Sequence, residues 1–316
     1  MQIERGAPFS DPARTAAGAP RATVDLVALR TLWFNTGTLC NIECRGCYIE
    51  SSPSNDRLAY LTAADVEAYL DEIDELGWPT EEIGFTGGEP FLNPEILGMT
   101  GQCLRRGLRV LILTNGMQPM MRPRLREGLL SLLCEHGDRL VLRVSLDHYT
   151  RAGHEALRGD GSWARTLDGL RWLELHGFAV RVAGRTCWPE SESSLRAGYR
   201  DLFAAEGIAL DALCPASLVL FPEMDRSSAV TEISEDCWTI LGKRPDEVMC
   251  ASSRMVVKRR GDTAPGVMAC TLLPYDRRFY LGRSLAETAG PVSLNHPYCA
   301  QFCVLGGGSC SVPSTD

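Results

Sequence analysis

The chain predicts an α/β fold: a parallel sheet with helices packed on its outside. Three observations lead there. From about residue 31 to residue 213, strand-like and helix-like segments alternate and make six β–α units. The strand segments are apolar runs, as in a sheet buried on both faces; Leu108 to Leu113 is broken only by Arg109. The residues that invite chemistry, Cys40, Gly87, Asn115 and Asp147, each fall just past a predicted strand. Parallel α/β folds place their active sites at that end of the sheet. Helix spacing leaves open whether the six units form an open sheet or a partial barrel.

Residues 1–24 are rich in Ala, Pro, Gly and Arg without periodicity and are expected to form a flexible arm. Leu32-Trp33-Phe34 is an apolar run leading into a cysteine loop. Thr62 caps a helix whose Val66, Leu70, Ile73 and Leu76 share one face. Ile83-Gly84-Phe85 is a short strand that runs into Thr86-Gly87-Gly88-Glu89-Pro90. Asn93-Pro94 reads as N-cap and first residue of the next helix, and Gly107 as its stop. A helix over residues 123–135 leads through Gly137 to the strand Leu140 to Leu146. A helix from Ser162 ends near Gly177, before the strand Phe178 to Ala183. The last unit is a helix near Ser194 to Ala205, Gly207, and apolar Ile208 to Leu213 as the sixth strand.

After about Pro222 the rhythm changes and cysteines become dense: Cys237, Cys250, Cys270, Cys299, Cys303 and Cys310. Arg254 to Lys258 and Val267 to Leu272 read as the two strands of a hairpin turning at Arg260-Gly261-Asp262. Such a hairpin brings Cys250 and Cys270 to the same end. The Gly-rich tail around Cys299, Cys303 and Cys310 is loop-like, and its glycines let backbone N–H groups approach a bound group. Cys103, Cys134 and Cys187 read as small core residues. The expected domains are therefore the arm, a core over residues 25–222, and a Cys-rich unit over residues 223–316.

With 316 residues the chain can bury a full core. Its net charge of −8 gives no general attraction to nucleic acid or to anionic membrane. The run Lys258-Arg259-Arg260 is short and reads as a solvated face. No apolar stretch reaches membrane-span length, and no charged segment followed by an apolar run opens the chain. The expected location is the cytoplasm, where the 13 cysteines are reduced thiols or metal ligands, not a disulfide scaffold.

Cys40, Cys44 and Cys47 make C-x3-C-x2-C, three thiolates on one tight loop. Three is one fewer than a cubane iron–sulfur cluster needs. An iron without a protein ligand is free to bind a small molecule, as catalytic metal sites keep one position open. Structural zinc instead uses paired C-x2-4-C units. A redox dithiol would need only Cys44 and Cys47 and would leave Cys40 surplus.

The triplet, together with Thr86-Gly87-Gly88-Glu89-Pro90, Leu113-Thr114-Asn115-Gly116 and Val144-Ser145-Leu146-Asp147, resembles the radical S-adenosylmethionine (radical SAM) enzymes from about Thr31 to about Leu220. The resemblance implies a partial (β/α)6 barrel. It implies that Cys40, Cys44 and Cys47 hold a [4Fe–4S] cluster, with S-adenosylmethionine on the fourth iron. The cluster then cleaves the sulfonium to a 5′-deoxyadenosyl radical. In that reading Gly87 and Gly88 let the backbone approach the methionyl part, Glu89 or its neighbouring backbone holds the ammonium, and Pro90 fixes the turn. Asn115, Ser145 and Asp147 are candidates for ribose or carboxylate hydrogen bonds, or equally for helix caps. Arg158, Arg185 and His148 lie near the same mouth, as a carboxylate clamp, a second layer or solvated surface. Relatives carry an aromatic residue before the third cysteine, to lie against adenine; here it is Gly46, with Tyr48 as the available substitute.

The C-terminal cysteines resemble the auxiliary-cluster domains called SPASM and twitch, with departures in spacing. They imply a second [4Fe–4S] cluster on Cys250, Cys270 and two or three of Cys299, Cys303 and Cys310, with Cys237 as an extra; a zinc knuckle or buried thiols is the alternative. The expected function is hydrogen abstraction from a peptide or small-molecule substrate, with a peptide or protein maturase slightly favoured. The electron would come from an external donor such as flavodoxin or ferredoxin. The rival reading is a non-catalytic iron–sulfur redox or electron-carrier protein.

Overall fold

Alternation along the first long strand sets the layers of the molecule. In Thr31–Asn35, Leu32 and Phe34 pack among helices on one face, and Trp33 packs on the other. The structure, a computed structural model, describes residues 7–225 and 228–310. Residues 1–6 of the expected arm, and 226–227 and 311–316 of the expected Cys-rich unit, lie outside the described residues. In chain order the strands are β1 (Thr23–Val24), β2 (Thr31–Asn35), β3 (Glu82–Thr86), β4 (Arg109–Thr114), β5 (Leu140–Ser145), β6 (Ala179–Arg185), β7 (Leu218–Phe221), β8 (Ser253–Val257), β9 (Gly266–Met268), β10 (Tyr280–Gly282) and β11 (Val292–Ser293). The α-helices are α1 (Ala63–Leu76), α2 (Ile96–Arg105), α3 (Pro123–His136), α4 (Arg151–Arg158), α5 (Ser162–Leu175), α6 (Glu192–Glu206) and α7 (Asp236–Leu241).

Strands β2 to β7 are neighbours in chain order and all parallel, with α1 to α6 in the crossovers. This is the expected (β/α)6 unit. It does not close, because β7 is one edge of the sheet and β10 the other. The expected hairpin is present as β8–β9, and β8 lies parallel to β2 from Thr31↔Ser253 onward. The Cys-rich region therefore extends the core sheet itself.

Two apolar layers result from the pleat. The outer layer joins the sheet to α1, α2, α3, α5 and α6. The inner layer packs Trp33, Leu111, Val141 and Met255 against Tyr298, Phe302 and other C-terminal residues. Trp33 takes so much of the interior that a Cβ on Gly84 of β3 would lie 2.3 Å from its ring. No helix among the described residues is long and apolar enough to cross a membrane.

Several expected boundaries move, each for a local reason. The helix capped by Thr62 forms with a reciprocal Asp65 bond, but Leu76 at its end is 43% exposed. Asn93 lies two residues before Glu95, the N-cap of α2: its buried Nδ2 donates to Thr36 O (3.1 Å) and Leu61 O (2.8 Å) and its Oδ1 accepts from Glu95 N–H (2.9 Å), making a turn ahead of the helix, which begins at Ile96. The sixth strand is not Ile208 to Leu213. That run buries Ile208 and Ala212, but a turn at Cys214–Ser217 delays the strand to Leu218. Helix α4 is an element that the sequence pattern does not announce.

Residues 7–24 are packed, not loose. Ala22 and Val24 are fully buried, β1 pairs antiparallel with β11, and buried Arg21 forms an ion pair with Glu232. Most of the small residues that suggest a flexible arm, Ala7, Ala13, Ala17 and Gly18 among them, are exposed; the segment is anchored by buried Phe9, Arg21, Ala22 and Val24.

Candidate active site

The cysteine loop leaves the end of β2 and is tied down by backbone bonds. Cys40 N–H donates to Ser52 O (3.0 Å), Cys47 N–H to Cys44 O (3.2 Å), and Arg45 N–H to Leu157 O of α4 (2.7 Å). Cys40, Cys44 and Cys47 line one cavity of about 180 Å³ at the C-terminal ends of the strands. Of the other residues expected at the site, Tyr48, Gly87, Gly88, Asn115, Ser145 and Asp147 line the same cavity, whereas Glu89 and Pro90 do not. Burial pushes the Cys40 thiol up to about 12, and raises Cys44 against the opposing pull of Arg158.

The two glycines line the cavity and also bring the backbone against the start of the cysteine loop. Gly88 N–H donates to Gly37 O (2.8 Å) and Glu89 N–H to Leu39 O (3.1 Å). A Cβ on Gly88 would lie 2.1 Å from Leu39 O, and one on Gly87 (φ +142°) 2.5 Å from Gly37 O. A side chain here meets the start of the cysteine loop before it meets anything in the cavity. Glu89 is 1% exposed. Its Oε1 accepts from Thr114 Oγ1 (2.9 Å) and Phe91 N–H (3.2 Å), and its Oε2 from Asn115 N–H (2.9 Å). Burial nevertheless raises its carboxyl to about 7. Glu89 thus ties the end of β3 to the end of β4. Pro90 is buried and opens a 3₁₀ turn over Pro90–Leu92.

Asn115 Nδ2 donates to Asn41 Oδ1 (2.8 Å), one residue past Cys40, and its Oδ1 accepts from Met117 N–H (3.0 Å). Asp147 is buried and takes two bonds from Arg158, from Nε (2.7 Å) and from Nη2 (3.1 Å). The cap of α4 is Thr150, which accepts from Gly153 N–H (3.2 Å). Buried His148 meets Glu190 Oε1 (2.9 Å) and Thr150 Oγ1 (2.8 Å). Gly46 has φ +71°, and the Arg185 guanidinium lies 3.4 Å from where its Cβ would be. Arg185 also pairs with Glu223 (2.6 Å).

Sequence reasoning missed Arg143, a third arginine on this cavity. It is 2% exposed, donates from Nη1 to Cys310 O (2.7 Å), and is lowered to about 10 by burial. The available signal was a charge in the middle of the apolar run Leu140 to Leu146. The apolar wall was also missed: Phe221, Met224, Leu272 and Phe302 come from the chain's C-terminal third.

A second, smaller cavity of about 20 Å³ is lined by Cys250, Cys270, Cys299 and Cys303. The hairpin places Cys250 before β8 and Cys270 after β9, while a π-helical turn over Cys299–Val304 carries the other two. Burial pushes Cys250 up to about 11 and Cys299 to about 12. Cys310 lines the larger cavity instead, with its sulfur 3.3 Å from Thr271 Oγ1. Cys237 lies 3.6 Å from Ser234 Oγ and lines neither cavity. Cys103 is a core residue as expected, Cys187 is half-buried, and Cys134 is exposed because it falls on the outer face of α3. Among the described residues no three His, Cys, Asp or Glu side chains close on a single metal ion. Around the larger of these two spaces the three thiols Cys40, Cys44 and Cys47 are a donor set that fits a multi-atom iron–sulfur group, while the four thiols of the second set stand around a much smaller one.

The sequence profile of the radical SAM superfamily matches residues 34–202. The antilisterial bacteriocin subtilosin biosynthesis protein AlbA of Bacillus subtilis (strain 168) is 32% identical over 145 residues, 46% of this chain and 30% of AlbA. The mycofactocin maturase MftC of Mycobacterium ulcerans (strain Agy99) is 28% identical over 140 residues, 44% of this chain and 35% of MftC. The matched segment thus spans about a third of these curated relatives. Streptococcus suis SuiB, solved bound to its precursor peptide SuiA, superposes with a TM-score of 0.58 at 13% identity over 90% of this chain and 67% of that one. SuiB bound to S-adenosylmethionine gives the same TM-score over 81% of this chain and 63% of that one.

Proposed function

Because the chain belongs to the radical SAM superfamily, we propose that it is an enzyme that cleaves S-adenosylmethionine reductively and abstracts hydrogen from a peptide, leading to oxidation or bond formation. The observation that carries this is one cavity lined at once by Cys40, Cys44, Cys47, the Gly87-Gly88 backbone, Asn115 and Asp147. A peptide is favoured over a small molecule by the AlbA and MftC likenesses and by the peptide-bound SuiB fold. A mere electron carrier would have no use for a cavity of this size beside its thiols.

Cys40, Cys44 and Cys47 would hold a [4Fe–4S] cluster, which with bound S-adenosylmethionine supplies reductive cleavage of the sulfonium and attack on an unactivated C–H bond. The chain's own residues do the rest. Glu89 and Asn115 hold the cysteine loop in place through Thr114 and Asn41. The Asp147–Arg158 pair presents a fixed dipole at the cavity wall. Arg185, over Gly46, and Tyr48 flank the third cysteine. Leu113, Phe221, Leu272 and Phe302 exclude water from the space where substrate would sit.

Cys250, Cys270, Cys299 and Cys303 would hold a second [4Fe–4S] cluster in a SPASM/twitch-like unit after residue 222, with residues 25–222 as the catalytic unit. Flavodoxin or ferredoxin would supply the electron. In the decisive experiment, the anaerobically reconstituted protein is reduced with dithionite in the presence of S-adenosylmethionine. Methionine and 5′-deoxyadenosine should form in wild type and not in Cys44→Ala, which should also lose about one cluster of iron. Undiminished cleavage by Cys44→Ala would sink the assignment.

A further inference from the structure

Three arginines line the cavity that holds Cys40, Cys44 and Cys47: Arg143, Arg158 and Arg185. Two are already neutralised. Arg158 holds Asp147, and Arg185 holds Glu223. Arg143 has no carboxylate partner among the described residues. Its Nη1 is spent on Cys310 O (2.7 Å), while buried Nε has no partner and Nη2 makes no bond among those residues. The free Nε/Nη2 edge is the side of a guanidinium that meets a carboxylate with two parallel bonds.

The surroundings sharpen the point. Arg143 stands two residues before Ser145 on β5, so both point to the same face, toward the cavity. Its partner positions in the neighbouring strands are Leu113 on β4 and Arg181 on β6, and the buried carboxylate of Glu82 on β3 acts on both arginines and offsets one of their two charges, leaving one unbalanced. The wall beside it is Leu272 and Phe302. A buried guanidinium in such a setting is costly unless an anion completes it. A monoanion balances one charge, and a planar one matches the free edge.

We infer that Arg143 is a specificity residue that takes a carboxylate of the substrate at the inner wall of the cavity. This rests on the peptide reading above. The carboxylate belongs to an acidic side chain or to a peptide C-terminus, and the chemistry is the same. A dianionic phosphate would leave a charge unbalanced in an apolar wall.

Saturation-transfer NMR on the anaerobically reconstituted protein, with S-adenosylmethionine present to fill the cofactor position, tests this without turnover. The probes are N-acetylglutamate α-amide, N-acetylglutamine and N-acetylglutamine α-amide. The first carries a side-chain carboxylate, the second a terminal one, the third none. At least one carboxylate probe should bind wild type about tenfold or more tighter than the neutral probe, and the preferred one names the source. Arg143→Gln should remove that preference, and Arg143→Lys, which keeps the charge but not the fork, should keep part of it. Iron content reports whether each variant still loads its clusters; if Arg143→Gln does not, the Arg143→Lys comparison and the wild-type preference decide. Equal binding of all three probes to wild type, or an undiminished preference in Arg143→Gln, overturns the inference. Failure of the proposed function would show separately, as absence of 5′-deoxyadenosine from the wild-type enzyme.

Discussion

Glu89 shows how one side chain acquires a role its motif does not announce. Its carboxylate is spent on Thr114, Phe91 and Asn115, so it acts on the cysteine loop through β4. Burial raises it from 4.5 to about 7, so between those values the folded state keeps a proton that the unfolded chain has released. The stability linked to that proton is fully present below the unfolded value and is lost as pH rises through about 7. The urea midpoint of the apoprotein should therefore fall between pH 4.5 and 7 more steeply in wild type than in Glu89→Gln, and equal slopes would refute the shift. Glu89→Gln should also cost about 1–3 kcal/mol at neutral pH, because an amide cannot accept from all three donors. Gly88 makes a sharper case. With Leu39 O only 2.1 Å from the place a Cβ would occupy, Gly88→Val should displace the residue preceding Cys40. The variant should lose about one cluster of iron. Retention of full iron with weak S-adenosylmethionine binding would instead give this glycine the cofactor-facing role that its motif implies.

Among the elements, the β8–β9 hairpin and the π-helical turn carry the second thiol set. Hairpin geometry alone brings Cys250 and Cys270 together, and this was legible from the turn residues between two apolar runs. That Cys299 and Cys303 join them while Cys310 faces the other cavity was not legible, since loop spacing does not fix which way a thiol points. A Cys250→Ser, Cys270→Ser double variant should hold about half the iron of wild type and still form 5′-deoxyadenosine. Wild-type protein with iron for one cluster only, and zinc bound in the second site, would make this region a structural knuckle. Helix α4 escaped reading because it is one short element with Gly153 inside it, where a Cβ would lie 2.5 Å from the His148 ring. Packing overrides the helix cost of that glycine.

In the whole molecule, the inner face of the sheet is closed by the segments after residue 222. Trp33, Leu111 and Val141 pack in one layer with Met255, Tyr298 and Phe302. A chain ending at residue 222 should expose that layer and fail to stay soluble, as judged by sedimentation after expression. Residues 7–24 contribute through β1 and the Arg21–Glu232 pair, so deleting residues 1–24 should lower the thermal midpoint by several degrees, on the order of 1–3 kcal/mol for a lost buried pair and strand. An unchanged midpoint would return this segment to a dispensable arm.

Periodicity, turn residues and cysteine spacing by themselves determined the α/β class, the six β–α units and the three thiols of the first loop. All of these are local patterns, set within a few residues of chain. The sheet order, the β8 strand laid beside β2, the burial of Arg143 and the division of the tail cysteines between two cavities were decided only by the tertiary structure. They depend on which distant segments meet: β2 and β8 are about 220 residues apart, and they pair because each satisfies the other's edge of backbone N–H and C=O groups while Trp33 and Met255 are buried in one layer on the face.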